Sequence, residues 1–293
     1  MVWHEATDGP APRRRPGRRF IGIRRDDLRS SWRTRGHPPL RRLTVAVATL
    51  AAALAGCGDG GSAPAARPAA IVSETLGRGP QQVTILRPET RATLPVVVFL
   101  HGWGAPQPDF YRPWLEHLAR RGSAVVYPHY QESFIEPPAQ ALGNVLAGVR
   151  LALARPRLDT GSLVVAGHSA GGSLAADYAA IAATADLPPA RAVLAVYPGR
   201  RLPRVPRGLP EIPPQRIPAD TAIEALASRE DGIVGTETAR EIVSGATQVP
   251  RGRRRLVLVT DPAADDHQAP LRADAAARRA FWAPLDRLIA AGR

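Results

Sequence analysis

Hydrophobic positions along the chain fall into short unbroken runs rather than alternating ones. VVVFL spans residues 96–100, and similar runs recur at 123–127 (SAVVY), 162–166 (SLVVA), 192–197 (AVLAVY) and 256–259 (LVLV). Val83-Thr84-Ile85-Leu86 forms an earlier candidate strand, and a further apolar stretch occupies 221–227. β-branched runs of this length suit strands covered on both faces, as in a parallel sheet, where no position is reserved for solvent. Between them lie segments of helical spacing, at 109–121, 139–154, 170–184, 236–246 and 272–291. Strand and helix in alternation predict an α/β domain over residues 71–293, with a doubly wound, mostly parallel sheet flanked by helices. Tyr197 to Asp220 breaks the pattern with seven prolines, at 198, 203, 206, 210, 213, 214 and 218. Proline blocks helix interiors, so this stretch predicts an extended excursion across the top of the sheet and no large cap domain.

The first seventy residues follow a different rule. Arg41-Arg42 precede the apolar run LTVAVATLAAALA (43–55), followed by Gly56-Cys57-Gly58-Asp59. A basic start, a short apolar run and a small-residue exit predict a signal peptide over residues 40–57. The run is shorter than the roughly 20 residues that a membrane span needs. Leu54-Ala55-Gly56-Cys57 resembles a bacterial lipobox. That resemblance implies acylation of Cys57 and an extracytoplasmic protein held at the membrane by its lipid anchor, with 58–70 as a flexible tether. The plainer alternative is an ordinary cleaved signal and a secreted protein in which Cys57 is incidental. Signals rarely begin forty residues in. Residues 1–39 are therefore expected to be a non-native or disordered extension, with translation starting near Leu40.

Composition changes the picture little. The net charge of +13 suggests nucleic acid until it is divided: residues 1–42 hold twelve Arg against Glu5, Asp8, Asp26 and Asp27, which is eight of those charges. The remainder carries no basic helix interleaved with aromatics, so no nucleic-acid partner is expected. Cys57 is the sole cysteine, which excludes an internal disulfide.

The chemistry concentrates at VVAGHSAGGS, Val164 to Ser173. A β-branched strand ends at Gly167, Ser169 follows, and an Ala-rich helix begins after it. Gly-x-Ser-x-Gly at a strand-to-helix turn is the nucleophile elbow, where glycines permit a strained turn that lifts the hydroxyl above the sheet. The helix N-terminus beneath it favours negative charge. On these residues the chain resembles the α/β-hydrolase superfamily of serine esterases over about residues 80–291, and is also similar to dienelactone-hydrolase-like and polyester-hydrolase-like members.

The resemblance implies a triad in the chain order nucleophile, acid, histidine, and an oxyanion hole of two backbone N–H groups. His101-Gly102-Trp103-Gly104, directly after VVVFL, is similar to the family's His-Gly-x-Gly loop. By that likeness Trp103 and Ala170 supply the two donors, and His101 braces the loop. Among the histidines, His4 and His37 precede the signal, His117 lies on a helical face, and His129 is upstream of the serine. His168 adjoins Ser169 and is expected to face another way. His267, in Asp265-Asp266-His267-Gln268 after the last strand, stands where the family places its base. Asp231, in Ser228-Arg229-Glu230-Asp231-Gly232 beyond 221–227, is the expected acid, with Glu230 its nearest rival. Asp265 and Asp266 are too close to the histidine to reach its ring edge well.

Trp103 is a candidate for the acyl pocket, and Phe110, Tyr111, Tyr130 and Phe134 for its mouth, with ordinary packing an equal reading for each. Arg200, Arg201, Arg204 and Arg207 could meet an acidic substrate, although a solvated loop face is the simpler reading. No cofactor or metal is expected. The implied activity is hydrolysis of a small-molecule or polymeric carboxylic ester. An acyltransferase, thioesterase or small peptidase with the same triad remains open, as does a non-catalytic binding protein on this fold.

Overall fold

The computed structural model describes residues 69–201 and 208–292. The expected extension, the signal peptide, Cys57 and nearly all of the tether lie outside the described residues, as do Arg204 and Arg207.

Eight strands form one sheet: β1 (Ile71–Leu76), β2 (Val83–Pro88), β3 (Leu94–Leu100), β4 (Ala124–Pro128), β5 (Leu158–His168), β6 (Ala192–Val196), β7 (Ala222–Ala227) and β8 (Arg254–Leu258). Their spatial order is β1-β2-β4-β3-β5-β6-β7-β8. The first two pairings are antiparallel and all the others parallel. Both faces are covered, which accounts for the unbroken runs. Val96, Val98 and Leu100 pack on one side with α2 (Ala141–Leu153), α3 (Ala170–Ile181) and α4 (Glu237–Gly245). Val97 and Phe99 pack on the other with α1 (Arg112–Arg120) and the C-terminal helices, through Trp114, Phe281 and Trp282. Among the described residues there is no separate cap domain.

Two elements depart from the sequence expectation. β1 was not marked by its pattern, because an antiparallel edge strand carries few apolar residues: Ser73, Glu74 and Thr75 fill its middle, and Glu74 pairs with Arg155 at 2.6 Å. The helix expected over 272–291 is three pieces, α5 (Ala275–Ala277), a π-turn at Arg278–Trp282, and α6 (Ala283–Ala291). Pro284 has no N–H to return to the preceding turn, and the widened turn sits immediately before it.

β4 lies on one side of β3 and β5 on the other, so the chain reverses direction across the sheet there. A crevice opens beyond the carboxyl ends of strands at such a point. The proline-rich excursion is fastened beside it. Arg200 makes a bidentate pair with Asp177 of α3, at 2.7 and 2.9 Å, with the Asp177 side chain 2% exposed. Arg200 is thus neither a substrate contact nor part of a solvated face. Burial lifts the Asp177 carboxyl above its ordinary range although Arg200 opposes the shift. Such a pair costs more to break than to replace. Arg200→Ala is therefore expected to cost about 3 kcal/mol of stability by urea unfolding, whereas Asp177→Asn combined with Arg200→Met stays within about 1 kcal/mol of the parent.

Candidate active site

β5 ends at His168 and α3 begins at Ala170, so Ser169 alone makes the turn, at φ 56° and ψ −121°. A side-chain-bearing residue adopts such angles only when its surroundings impose them, at a cost of about 1–3 kcal/mol. Here its N–H donates to the Val196 carbonyl at 2.9 Å, and its own carbonyl accepts from Gly172 and Gly199. A Cβ on Gly167 would overlap the Gly171 carbonyl, as expected across the turn. A Cβ on Gly171 would instead overlap the carbonyls of Leu100 and His101, so that glycine is required by the end of β3.

His267, on the loop after β8, brings Nε2 to 3.0 Å from Ser169 Oγ. Its Nδ1 lies 2.7 Å from Asp231 Oδ2. A carboxylate only accepts, so Nδ1 carries the ring proton and Nε2 presents its lone pair to the hydroxyl. Asp231, just past β7, has a fully buried side chain, and its other oxygen accepts from the N–H groups of Ile233 (2.9 Å) and Val234 (3.2 Å). Glu230 is exposed, and Asp266 pairs with Arg272 at 2.8 Å. Tyr197 stacks on the His267 ring, at 6.4 Å between centroids.

The loop after β3 lies against the serine: a Cβ on Gly102 would stand 3.4 Å from Ser169 Cβ. Its donors can be assigned in turn. Gly102 N–H goes to the Tyr111 hydroxyl (2.9 Å), Gly104 N–H to Gln131 Oε1 (2.8 Å), and Ala105 N–H to the Gly102 carbonyl (3.1 Å). Trp103 N–H, and Ala170 N–H at the start of α3, have no partner among the described residues. These are the two donors that the sequence singled out.

A cleft of about 300 Å³ opens over Ser169, lined by Trp103, Phe110, Tyr111, Phe134, Ile233 and Leu271 among others. Arg201 reaches it as well. Tyr130 does not: it is buried, stacked on His101 at 3.9 Å, and donates to the His101 carbonyl. Gln131 was invisible in the sequence, because its partners are backbone groups that no side-chain pattern displays. The Trp103 indole N–H donates to the Phe134 carbonyl, which ties the two aromatic walls together.

A family model described as the alpha/beta hydrolase fold matches residues 97–226. Solved structures with similar folds include a thermostable esterase from Pseudomonas putida, 17% identical with a TM-score of 0.59, covering 78% of this chain and 84% of that one. Carboxyl esterase 2 from the fungus Tuber melanosporum is 16% identical with a TM-score of 0.60, covering 78% and 90%. A Klebsiella pneumoniae protein described as a candidate dienelactone hydrolase is 19% identical with a TM-score of 0.54, covering 75% and 99%. No curated protein matches the sequence significantly. The likeness concerns the fold, and the fold is that of the α/β hydrolases.

Three further histidines brace the site. His129 meets Thr84 at 2.9 Å, and His168 lies between Tyr111 and the His267 carbonyl. His101 sits between the carbonyls of His129 (2.6 Å) and Gly102 (2.8 Å), as a bracing role requires. Burial pushes its pKa down to about 4, against the pull of those carbonyls, and a neutral ring has a single N–H, so only one of the two contacts is then a donated hydrogen bond. A folded-state pKa depressed from the usual 6.5 adds stability above pH 6.5, and that stability is lost as pH falls towards 4. The expected loss from this ring is about 3 kcal/mol. It should begin between pH 6.5 and 5, before most carboxylates titrate. Urea midpoints that stay flat over that interval would contradict it.

Proposed function

We propose that the protein is a serine hydrolase that cleaves carboxylic esters through an acyl-enzyme on Ser169. The observation that carries this reading is the Asp231–His267–Ser169 hydrogen-bonded chain on the floor of an apolar cleft, at 2.7 and 3.0 Å. As the Ser169 oxygen attacks the ester carbonyl, His267 Nε2 takes the hydroxyl proton. The ring then carries a positive charge, which the Asp231 carboxylate beside Nδ1 stabilises. The carbonyl oxygen becomes an oxyanion, and the Trp103 and Ala170 N–H groups, which have no partner among the described residues, are its donors. Each such donor is worth about 2.7–4 kcal/mol in the transition state. Collapse breaks the bond to the alcohol, which leaves with the proton from His267. Water repeats the sequence against the acyl-enzyme and releases the acid.

The cleft lining favours an apolar ester. Its volume of about 300 Å³ is at the small end for a ligand site. A compact acyl group fits within it, and a bulkier alcohol or polymer remains outside. Phe110, Phe134 and Ile233, each about half exposed, and Ile135 beside Phe134 give that outer part an apolar rim. The resemblance of Leu54–Cys57 to a lipobox supports an enzyme displayed outside the cytoplasmic membrane on a lipid anchor.

A fluorophosphonate probe tests the reading. The native protein should label stoichiometrically and Ser169→Ala not at all; an unlabelled native protein would overturn the assignment. Against p-nitrophenyl esters, His267→Ala should lower kcat by about 10⁴-fold or more. In a chain-length series kcat/KM should peak at short acyl groups and fall by dodecanoate.

A further inference from the structure

Tyr111 and His168 lie outside the Asp231–His267–Ser169 chain, yet both are buried against it, at 2% and 3% exposure. They form a second hydrogen-bonded chain whose direction is fixed at each link. His168 Nε2 lies 3.0 Å from the His267 backbone carbonyl. A carbonyl can only accept, so Nε2 carries the proton. In a neutral ring Nδ1 is then an acceptor, and the Tyr111 hydroxyl, 2.8 Å away, donates to it. That leaves the hydroxyl oxygen free to accept from Gly102 N–H, at 2.9 Å. The order Gly102 N–H, Tyr111 O–H, His168 ring, His267 carbonyl therefore satisfies every group with no proton to spare.

We propose that Tyr111 and His168 are positioning residues, a one-way hydrogen-bond chain that holds the loop bearing the Trp103 donor in register with the loop bearing His267. The inference rests on the reaction assigned above. Its physical basis is that the two halves of the machinery reach Ser169 from distant strands. The oxyanion loop follows β3 and the histidine follows β8, four places further along the sheet order. Nothing in the sheet ladder couples those two ends directly. The chain through His168 does, at the residue next to the nucleophile. The ring must also remain neutral, because its centroid lies 4.8 Å from that of His267, which becomes cationic during the reaction. Burial and the neighbouring His267 both push the His168 pKa well below its ordinary value.

Kinetics test the proposal with Tyr111→Phe, His168→Gln and the double variant. Each single change interrupts the chain: Tyr111→Phe removes both bonds of the hydroxyl, and His168→Gln both bonds of the ring. Each is expected to lower kcat about tenfold or more, with KM within about twofold, because only transition-state alignment is lost. The double variant should be no slower than about twofold below the slower single variant, since a chain broken once has little left to lose. Losses that multiply, or single variants with unchanged kcat, would overturn it. Because the variants could fail to fold, the parent protein supplies a second test. Imidazole ¹⁵N shifts at pH 7 should show His168 neutral and protonated at Nε2; the Nδ1–H tautomer or an imidazolium would refute the chain. That readout does not depend on turnover. Failure of the tautomer assignment is thus separable from failure of the esterase reading, which the fluorophosphonate probe reports.

Discussion

At the junction of β3 and β5 the backbone has less room than a methyl group needs. The start of α3 presses on the carbonyls of Leu100 and His101, and Gly171 is glycine because any Cβ there would overlap them. This close approach has three consequences. Ser169 is driven into its strained turn with φ 56°. The N-terminus of α3 is set at the carboxyl end of the sheet, where its first N–H, at Ala170, has no partner among the described residues. The loop after β3 is brought against the serine, so that Trp103 and Ala170 donors can serve one oxygen. A looser junction would permit other residues at positions 167 and 171 but would separate those N–H groups from the Ser169 hydroxyl.

Much of this was legible in the sequence, for reasons that also mark the limits. The inner strands announced themselves because both faces are covered and every position is apolar. β1 did not, since its outer face is wet, and the first residues of β5, Leu158 to Gly161, were missed because they lie before its buried stretch. Ser169, Asp231 and His267 could be picked out because the family's motif and chain order constrain them. Tyr111 was legible as a mouth residue but not as a partner of the loop, and Gln131 and His168 were given no role, since each engages a backbone group: the Gly102 N–H, the Gly104 N–H and the His267 carbonyl. Its place next to Ser169 leads the sequence to expect His168 to face away from the serine. It does point elsewhere than the hydroxyl, but into the wall that carries His267.

Charge was the least reliable guide. Arg200 looked like a solvated or substrate-facing arginine because its partner, Asp177, sits in the Ala-rich run of α3, where no charged site is suggested. Tyr130 looked like a mouth residue because it follows a strand on the crevice side, yet its ring is spent on His101. In both cases the deciding partner lies more than twenty residues away, beyond the range of a local pattern.

The electrostatic arrangement around the serine follows from its dryness. Charges are costly in such a wall unless paired, whereas oriented neutral groups are not. His101 and His168 are accordingly kept uncharged by burial, and the tyrosine hydroxyls bind carbonyls or a ring nitrogen. Asp231 is an ionisable group placed fully inside, and its carboxylate is met by two backbone N–H groups and by the His267 ring, which turns cationic in the proposed reaction. The pair that pins the excursion belongs to the same scheme. Arg200 is anchored on Asp177, and the adjacent Gly199 N–H donates to the Ser169 carbonyl at 3.1 Å. The proline-rich segment therefore bears on the strained turn itself, so that the contact fixing an irregular loop to α3 also helps hold the serine backbone in place.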